Sequence, residues 1–253
     1  MPHRHYYRPL IALLALHCAF FHKPTEYEKG IKYYRLGNYN RAAQYFDSYA
    51  GRFPKSDSCL YFLYDCYQKL DRPDNQIRVL ERLAVNRVVN ATVYLNLFEY
   101  YRGQGRYPEM YSLLITAAPA MRDTFDRRYV LTRRRYAEIA CGAAGQNQPG
   151  NPVIRALTMG LLNPFPDGNA YPDDTVTAGN LVILLDRFVP PVYPKKFYAL
   201  NNIPSRSFLY LPYLRLVELG VLDFDSRLEP DRPATCAACA MDLARLKARG
   251  YLR

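Results

Sequence analysis

Cys236 and Cys239 are spaced as C-x-x-C, and Thr235 stands directly before them. A threonine in that place caps a helix, which puts both thiols in the first helical turn. There the helix dipole lowers a thiol's pKa and favours dithiol chemistry. The neighbouring sequence offers such a pair no redox setting. No β-α-β pattern precedes it, as a thioredoxin-like pair would need. Met241, rather than a histidine, follows Cys239 closely, so the pair is no haem-attachment motif, and no second C-x-x-C is present to complete a zinc site. Cys18, Cys59, Cys66 and Cys141 are irregularly spaced and make no disulfide framework, so most of the cysteines are expected to be small buried hydrophobes.

The other chemistry-bearing residues are sparse. The four histidines, His3, His5, His17 and His22, all fall in the first 22 residues. The rest of the chain therefore lacks an imidazole for acid–base or nucleophilic work. The acidic stretch Pro166–Asp174 (PDGNAYPDD) lacks the twelve-residue ligand spacing and closing glutamate of a calcium loop, so its aspartates are expected to cap and turn the chain. No glycine loop is built to cradle a phosphate. These residues point to a protein that is not an enzyme and needs no cofactor or metal.

The net charge is +11, with basic clusters at Arg122, Arg127-Arg128 and Arg133-Arg134-Arg135. No nucleic-acid-binding motif interleaves them with aromatics, so nucleic acid is not an expected partner. The arginine triplet is either a solvated helix face or a site for an anion or acidic partner. Residues 1–9 (MPHRHYYRP) are basic, and Leu10–Phe21 (LIALLALHCAFF) is apolar. The apolar run is too short to span the ~30 Å of a bilayer core and suits an export signal over residues 1–22, the other reading being a buried or amphipathic helix. Cys18 ends that run where a bacterial lipoprotein carries its acylated cysteine, although His17 stands where a small residue is needed. Attachment to a membrane is expected only through this signal or a lipid on Cys18, with the protein exported to the periplasm, outer membrane or cell envelope.

Gly37, Asp71 and Gly105 recur at a step of 34 residues, and Tyr33, Tyr67 and Tyr101 keep the same step. A period of about 34 marks stacked helical hairpins. In the first unit, helix A is expected over Tyr27–Leu36 and helix B from Asn40 to Arg52, broken at Gly37-Asn38 and stopped by Pro54. Gly30 and Ala42 are small enough for a close helix approach, and Tyr33, Tyr39 and Phe46 would fill the remaining space. On Gly30, Tyr33, Gly37, Tyr39, Ala42, Phe46 and Pro54 this unit resembles the tetratricopeptide repeat. A degenerate second unit covers about Asp57–Asn90 and a third runs from Ala91 to about Asp123. The resemblance implies a groove lined by the A helices that holds a protein or peptide. Tyr33, Tyr64, Tyr67, Asn96 and Tyr101 are the candidate contacts. Tyr129–Cys141 is the expected capping helix, within a cap and linker over residues 125–150.

Beyond the polar loop Gly145–Gly150 a different pair of segments begins, over residues 151–253. Gly160 matches Gly220, Pro172-Asp173 matches Pro230-Asp231, and Thr177 matches Thr235. The glycines suit the left-handed residue that ends a helix, and the threonines suit N-caps. Val189–Ser207, rich in proline, reads as an extended crossover. With Phe165-Pro166-Asp167-Gly168 and Ala170-Tyr171-Pro172, the pair resembles the S-layer homology repeat. That resemblance implies three copies in a pseudo-trimeric unit that holds bacterial envelope glycans, with an arginine after the threonine as a main ligand contact. Ala178 and Cys236 stand in that place here, and two copies are evident. The expected fold is all-α: a tetratricopeptide-like solenoid over residues 23–124 followed by an S-layer-homology-like pair. The expected role is non-enzymatic scaffolding of a protein or peptide, or else anchoring to a cell-wall polymer such as peptidoglycan.

Overall fold

The computed structural model describes residues 24–147 and 150–252. The signal-like stretch and Cys18 lie outside the described residues. The described chain is all-α, and no helix in it is long and apolar enough to cross a membrane. It divides into two compact units, one up to Val88 and one from Val89.

The first unit holds α1 (Glu26–Arg35), α2 (Tyr39–Arg52), α3 (Asp57–Lys69) and α4 (Pro73–Val85), each packed on the next in sequence. Local chemistry sets each boundary. Thr25 and Glu28 form a reciprocal capping box at the start of α1. Gly37, at φ 71°, turns the chain into α2, whose N-cap is Asn38. The next hairpin makes the equivalent turn with Asp71 at φ 52°, a conformation that aspartate tolerates better than most residues. Gly30 closes against the fully buried Phe46, whose ring lies 2.6 Å from where a Cβ would stand. Between hairpins, the Tyr34 hydroxyl donates to Asp65 at 2.6 Å, and Arg82 donates to the Ala50 carbonyl at 2.9 Å.

The second unit begins with the hairpin α5 (Ala91–Gly103) and α6 (Tyr107–Thr116), turned by Gly105 at φ 67°. Then come α7 (Pro119–Arg128), α8 (Arg133–Ala143), α9 (Pro152–Thr158), α10 (Ala178–Asp186), α11 (Tyr210–Glu218) and α12 (Cys236–Ala248). The stretch expected to cap the hairpins contains α8, which does cover α6. It also packs on α9 and α12, so it serves as the hub of this unit. The packing here departs from a simple sequential solenoid, because α12 returns to α6, α7 and α8. The crossover at residues 189–207 is non-helical, as its prolines require. Arg215 pins it by donating to the Val192 carbonyl at 2.8 Å while pairing with Asp186 at 2.8 Å.

At the centre of the second unit, three short extended segments meet in a cycle. Thr132 bridges Thr175, Thr177 bridges Pro233, and Thr235 bridges Val130, all antiparallel. The third residue of each segment thus pairs with the first residue of the next. The middle residues Leu131, Val176 and Ala234 are buried. Each segment ends in a threonine that caps the following helix, its hydroxyl accepting from Arg135, Asn180 or Ala238. The pair expected over residues 151–253 supplies two of these capped segments, and the start of α8 supplies the third.

Gly142 on α8 has no room for a side chain, since a Cβ would lie 2.2 Å from the Tyr107 carbonyl oxygen. Gly142→Ala is expected to destabilise the second unit by about 1–3 kcal/mol, as overpacking does. Gly103→Ala, at an unobstructed helical position, should be neutral or slightly stabilising. Urea unfolding of the two variants checks this; equal midpoints would contradict the close approach.

Candidate functional site

The C-x-x-C pair does occupy the first turn of α12, with Thr235 as its N-cap. Burial decides its chemistry. Cys236 and Cys239 are both 0 % exposed. Loss of solvation pushes the Cys236 thiol up to about 12 and Cys239 well above its ordinary value. The Cys236 thiol donates to the Tyr129 carbonyl at 3.6 Å. A helix dipole contributes about 1 kcal/mol and cannot offset this desolvation. Cys59, Cys66 and Cys141 are buried too, and desolvation raises each of them. No group of three or more metal-ligating side chains occurs among the described residues.

The acidic loop folds on itself. Asp167 accepts from the Asn169 amide at 3.0 Å and from the Tyr171 hydroxyl. These bonds to its charged form hold the Asp167 carboxyl below its ordinary range. The arginine triplet is neither a plain solvated face nor an open anion site, because each member ties structure down. The Arg133 guanidinium lies 4.4 Å from the centre of the Phe165 ring. Its Nε donates to the Ala170 carbonyl at 2.6 Å and its Nη2 to the Asn163 carbonyl. Arg134 pairs with Asp173 at 3.4 Å, and Arg135 donates to the Val130 carbonyl at 2.7 Å.

The five predicted partner contacts divide between the two compact units, Tyr33, Tyr64 and Tyr67 in the first and Asn96 and Tyr101 in the second. Tyr33 and Tyr64 are half-buried, and Tyr33 stacks on Tyr45 with ring centres 5.4 Å apart. Tyr67 is also half-buried, and Asn96 is exposed. Tyr101 is 7 % exposed, with the Arg106 guanidinium 4.7 Å from its ring centre. Its ring belongs to the core of the α5–α6 hairpin and offers little surface to a partner.

Sequence reasoning missed a cleft of about 550 Å³ beside the start of α10. Ala178, Leu181 and Leu185 form one side, and Asp223, Asp225 and Leu228 of the loop before α12 form another. Asp242 of α12, 8 % exposed, lines it as well. Burial pushes the Asp242 carboxyl up to about 7 against the pull of Arg245, whose Nη1 is 3.8 Å away. The signal in the sequence was the small Ala178 after the capping Thr177, where Arg133 follows the equivalent Thr132. No protein-family model matches the chain, and no curated protein matches it in sequence.

Two measurements follow from these burials. Alkylation with iodoacetamide at pH 8, mapped by mass spectrometry, is expected to leave Cys236 and Cys239 unmodified until the chain is unfolded. Rapid labelling of either in the native state would contradict their burial. Glu138 on α8 is 5 % exposed, its Oε2 lacks a hydrogen-bond partner among the described residues, and burial pushes it up to about 7. Its folded pKa lies above its ordinary 4.5, so its contribution to stability is full below pH ~4.5 and lost as pH rises to ~7. That loss is on the order of 3 kcal/mol at ~1.4 kcal/mol per unit. Glu138→Gln should flatten the decline of melting temperature between pH 4.5 and 7, and should melt above the parent at pH 8. An unchanged slope would contradict the assignment.

Proposed function

We propose that this is a non-catalytic binding protein of the bacterial cell envelope, which holds a protein or peptide partner on its helical hairpins. In this reading the hairpins are tetratricopeptide-like, the second unit is S-layer-homology-like, and the basic, apolar start of the chain directs export. The observation that carries the binding role is the first unit itself, with hairpins stacked in sequence and half-buried Tyr33, Tyr64 and Tyr67 on its A helices. A groove of rigid aromatic side chains suits peptide recognition, because tyrosine offers contact area at low entropic cost.

A second reading, anchoring to a cell-wall polymer, draws support from the cycle of three capped segments. Its third copy restores a Thr132-Arg133 pair. The state of that arginine weighs against it: Arg133 is committed to two loop carbonyls and an aromatic ring. The other two copies carry Ala178 and Cys236 there.

A photo-crosslinking residue placed at Tyr33 or Tyr64 in the full chain, expressed in its own host, distinguishes the two. Discrete protein adducts at these positions, and none from a crosslinker at the exposed Lys69, are expected. Absence of adducts, together with co-sedimentation of the purified protein with peptidoglycan sacculi, would overturn the peptide reading in favour of anchoring.

A further inference from the structure

The cycle of bridges makes the starts of α8 and α10 structurally equivalent. The amides of Arg133 and Arg134 donate to the carbonyls of Asp174 and Pro172 at 2.9 and 2.7 Å. The amides of Ala178 and Gly179 donate in the same way to Arg232 and Pro230 at 2.8 and 2.9 Å. Each helix start therefore faces the corresponding loop of the next copy in the same register. In the first of these seats the loop holds a guanidinium, that of Arg133, on Asn163, Phe165 and Ala170.

The matching loop positions in the second seat are Asp223, Asp225 and Leu228, counted from Gly160 and Gly220 on one side and from Pro172 and Pro230 on the other. All three line the cleft beside Ala178. Where Arg133 projects a long cation, Ala178 projects a methyl group. Where Phe165 offers the first guanidinium a ring face, Asp225 offers a carboxylate.

We infer that this cleft receives the side chain of an arginine presented by a peptide or protein partner. The same fold already seats a guanidinium at the equivalent place, which makes the cleft more than a group of acids. Acidic groups outnumber basic ones in its lining: exposed Asp223, Asp225 and Glu229 and the buried Asp242, whose carboxyl burial raises to about 7, against the two exposed arginines Arg227 and Arg232. Arg245 neutralises part of the acidity, bonding Asp223 at 2.8 Å from outside the set of lining residues. The apolar wall of Leu181 and Leu185 suits the methylene stem of an arginine, and carboxylates receive its planar fork in paired hydrogen bonds. This inference goes beyond the hairpin reading and is independent of it, since each can fail without the other.

The test is an NMR titration of the full chain with N-acetyl-arginine amide, against the uncharged, near-isosteric N-acetyl-citrulline amide. Saturable shifts of amides in 223–228 and 235–242 are expected with the arginine compound, and binding at least tenfold weaker with the citrulline compound. Ala178→Arg should fill the cleft with its own guanidinium, abolish the titration and raise the melting temperature. If that variant does not fold, Asp225→Asn combined with Glu229→Gln, both at exposed positions, should weaken arginine binding at least fivefold with melting unchanged. Equal response to citrulline, shifts absent from these segments, or undiminished binding in a folded Ala178→Arg or in the double variant would overturn the proposal.

Discussion

The second unit depends on one constraint: three backbone segments with buried middle residues must satisfy one another's polar groups without a sheet. Leu131, Val176 and Ala234 are buried, so their amides and carbonyls need partners inside the protein. Val176 donates to the Leu131 carbonyl and Ala234 to the Val176 carbonyl, at 2.8 and 2.9 Å. A two-stranded pairing would leave edges, and closing the bridges into a cycle removes them. Each segment must then leave the centre at once, and a threonine-capped helix is how each one does so. The positions of α8, α10 and α12 follow from this closure, as do the loops that face their first turns.

What was legible in the sequence tracks how locally each feature is determined. Gly37, Gly105, Gly160 and Gly220 were readable because a left-handed turn residue is a single-position requirement, and all four adopt positive φ. Thr177 and Thr235 were readable as caps because each follows a Pro-Asp turn and precedes an apolar helix. Thr132 makes the same cap and was missed. It follows Tyr129-Val130-Leu131 with no Pro-Asp turn, and the three arginines behind it have the composition of a solvated face. Their actual bonds run to Asn163, Ala170, Asp173 and Val130. Most of those partners are distant in the chain, so nothing local announces them.

The candidate contacts separate by the same rule. The 34-residue step placed Tyr33, Tyr67 and Tyr101 in one phase, and phase fixes a position on a helix face. It does not fix burial, which depends on what the neighbouring elements bring. Tyr101 is buried while Tyr33 and Tyr67 stay half-exposed. The C-x-x-C motif shows the matching limit for chemistry. Sequence located it correctly at a helix N-terminus, yet burial where α12 packs on helices that include α6, α7 and α8 desolvates both thiols and raises their pKa.

One position, the residue after the capping threonine, decides what each copy does with an otherwise shared backbone. Arg133 reaches across and ties its loop through two carbonyls, acting as a structural tether. Cys236 turns inward, is fully buried, and lets the neighbouring Ala237 amide donate to Asp126 at 3.1 Å. Ala178 does neither, and the cleft opens there. Because the closed cycle fixes the three backbones, such side-chain differences need not disturb the fold. A large, a buried and a minimal side chain therefore yield a tethered loop, a packed helix start and an accessible cavity. The cavity retains two walls that carry acids, Asp242 and the 223–229 loop, and Arg245 is the one cation among the described residues within ion-pairing distance of their carboxylates. The exposed carboxylates of Asp223, Asp225 and Glu229 keep acceptor capacity beside the apolar wall of Leu181 and Leu185, and that is the physical basis for expecting a second cation there.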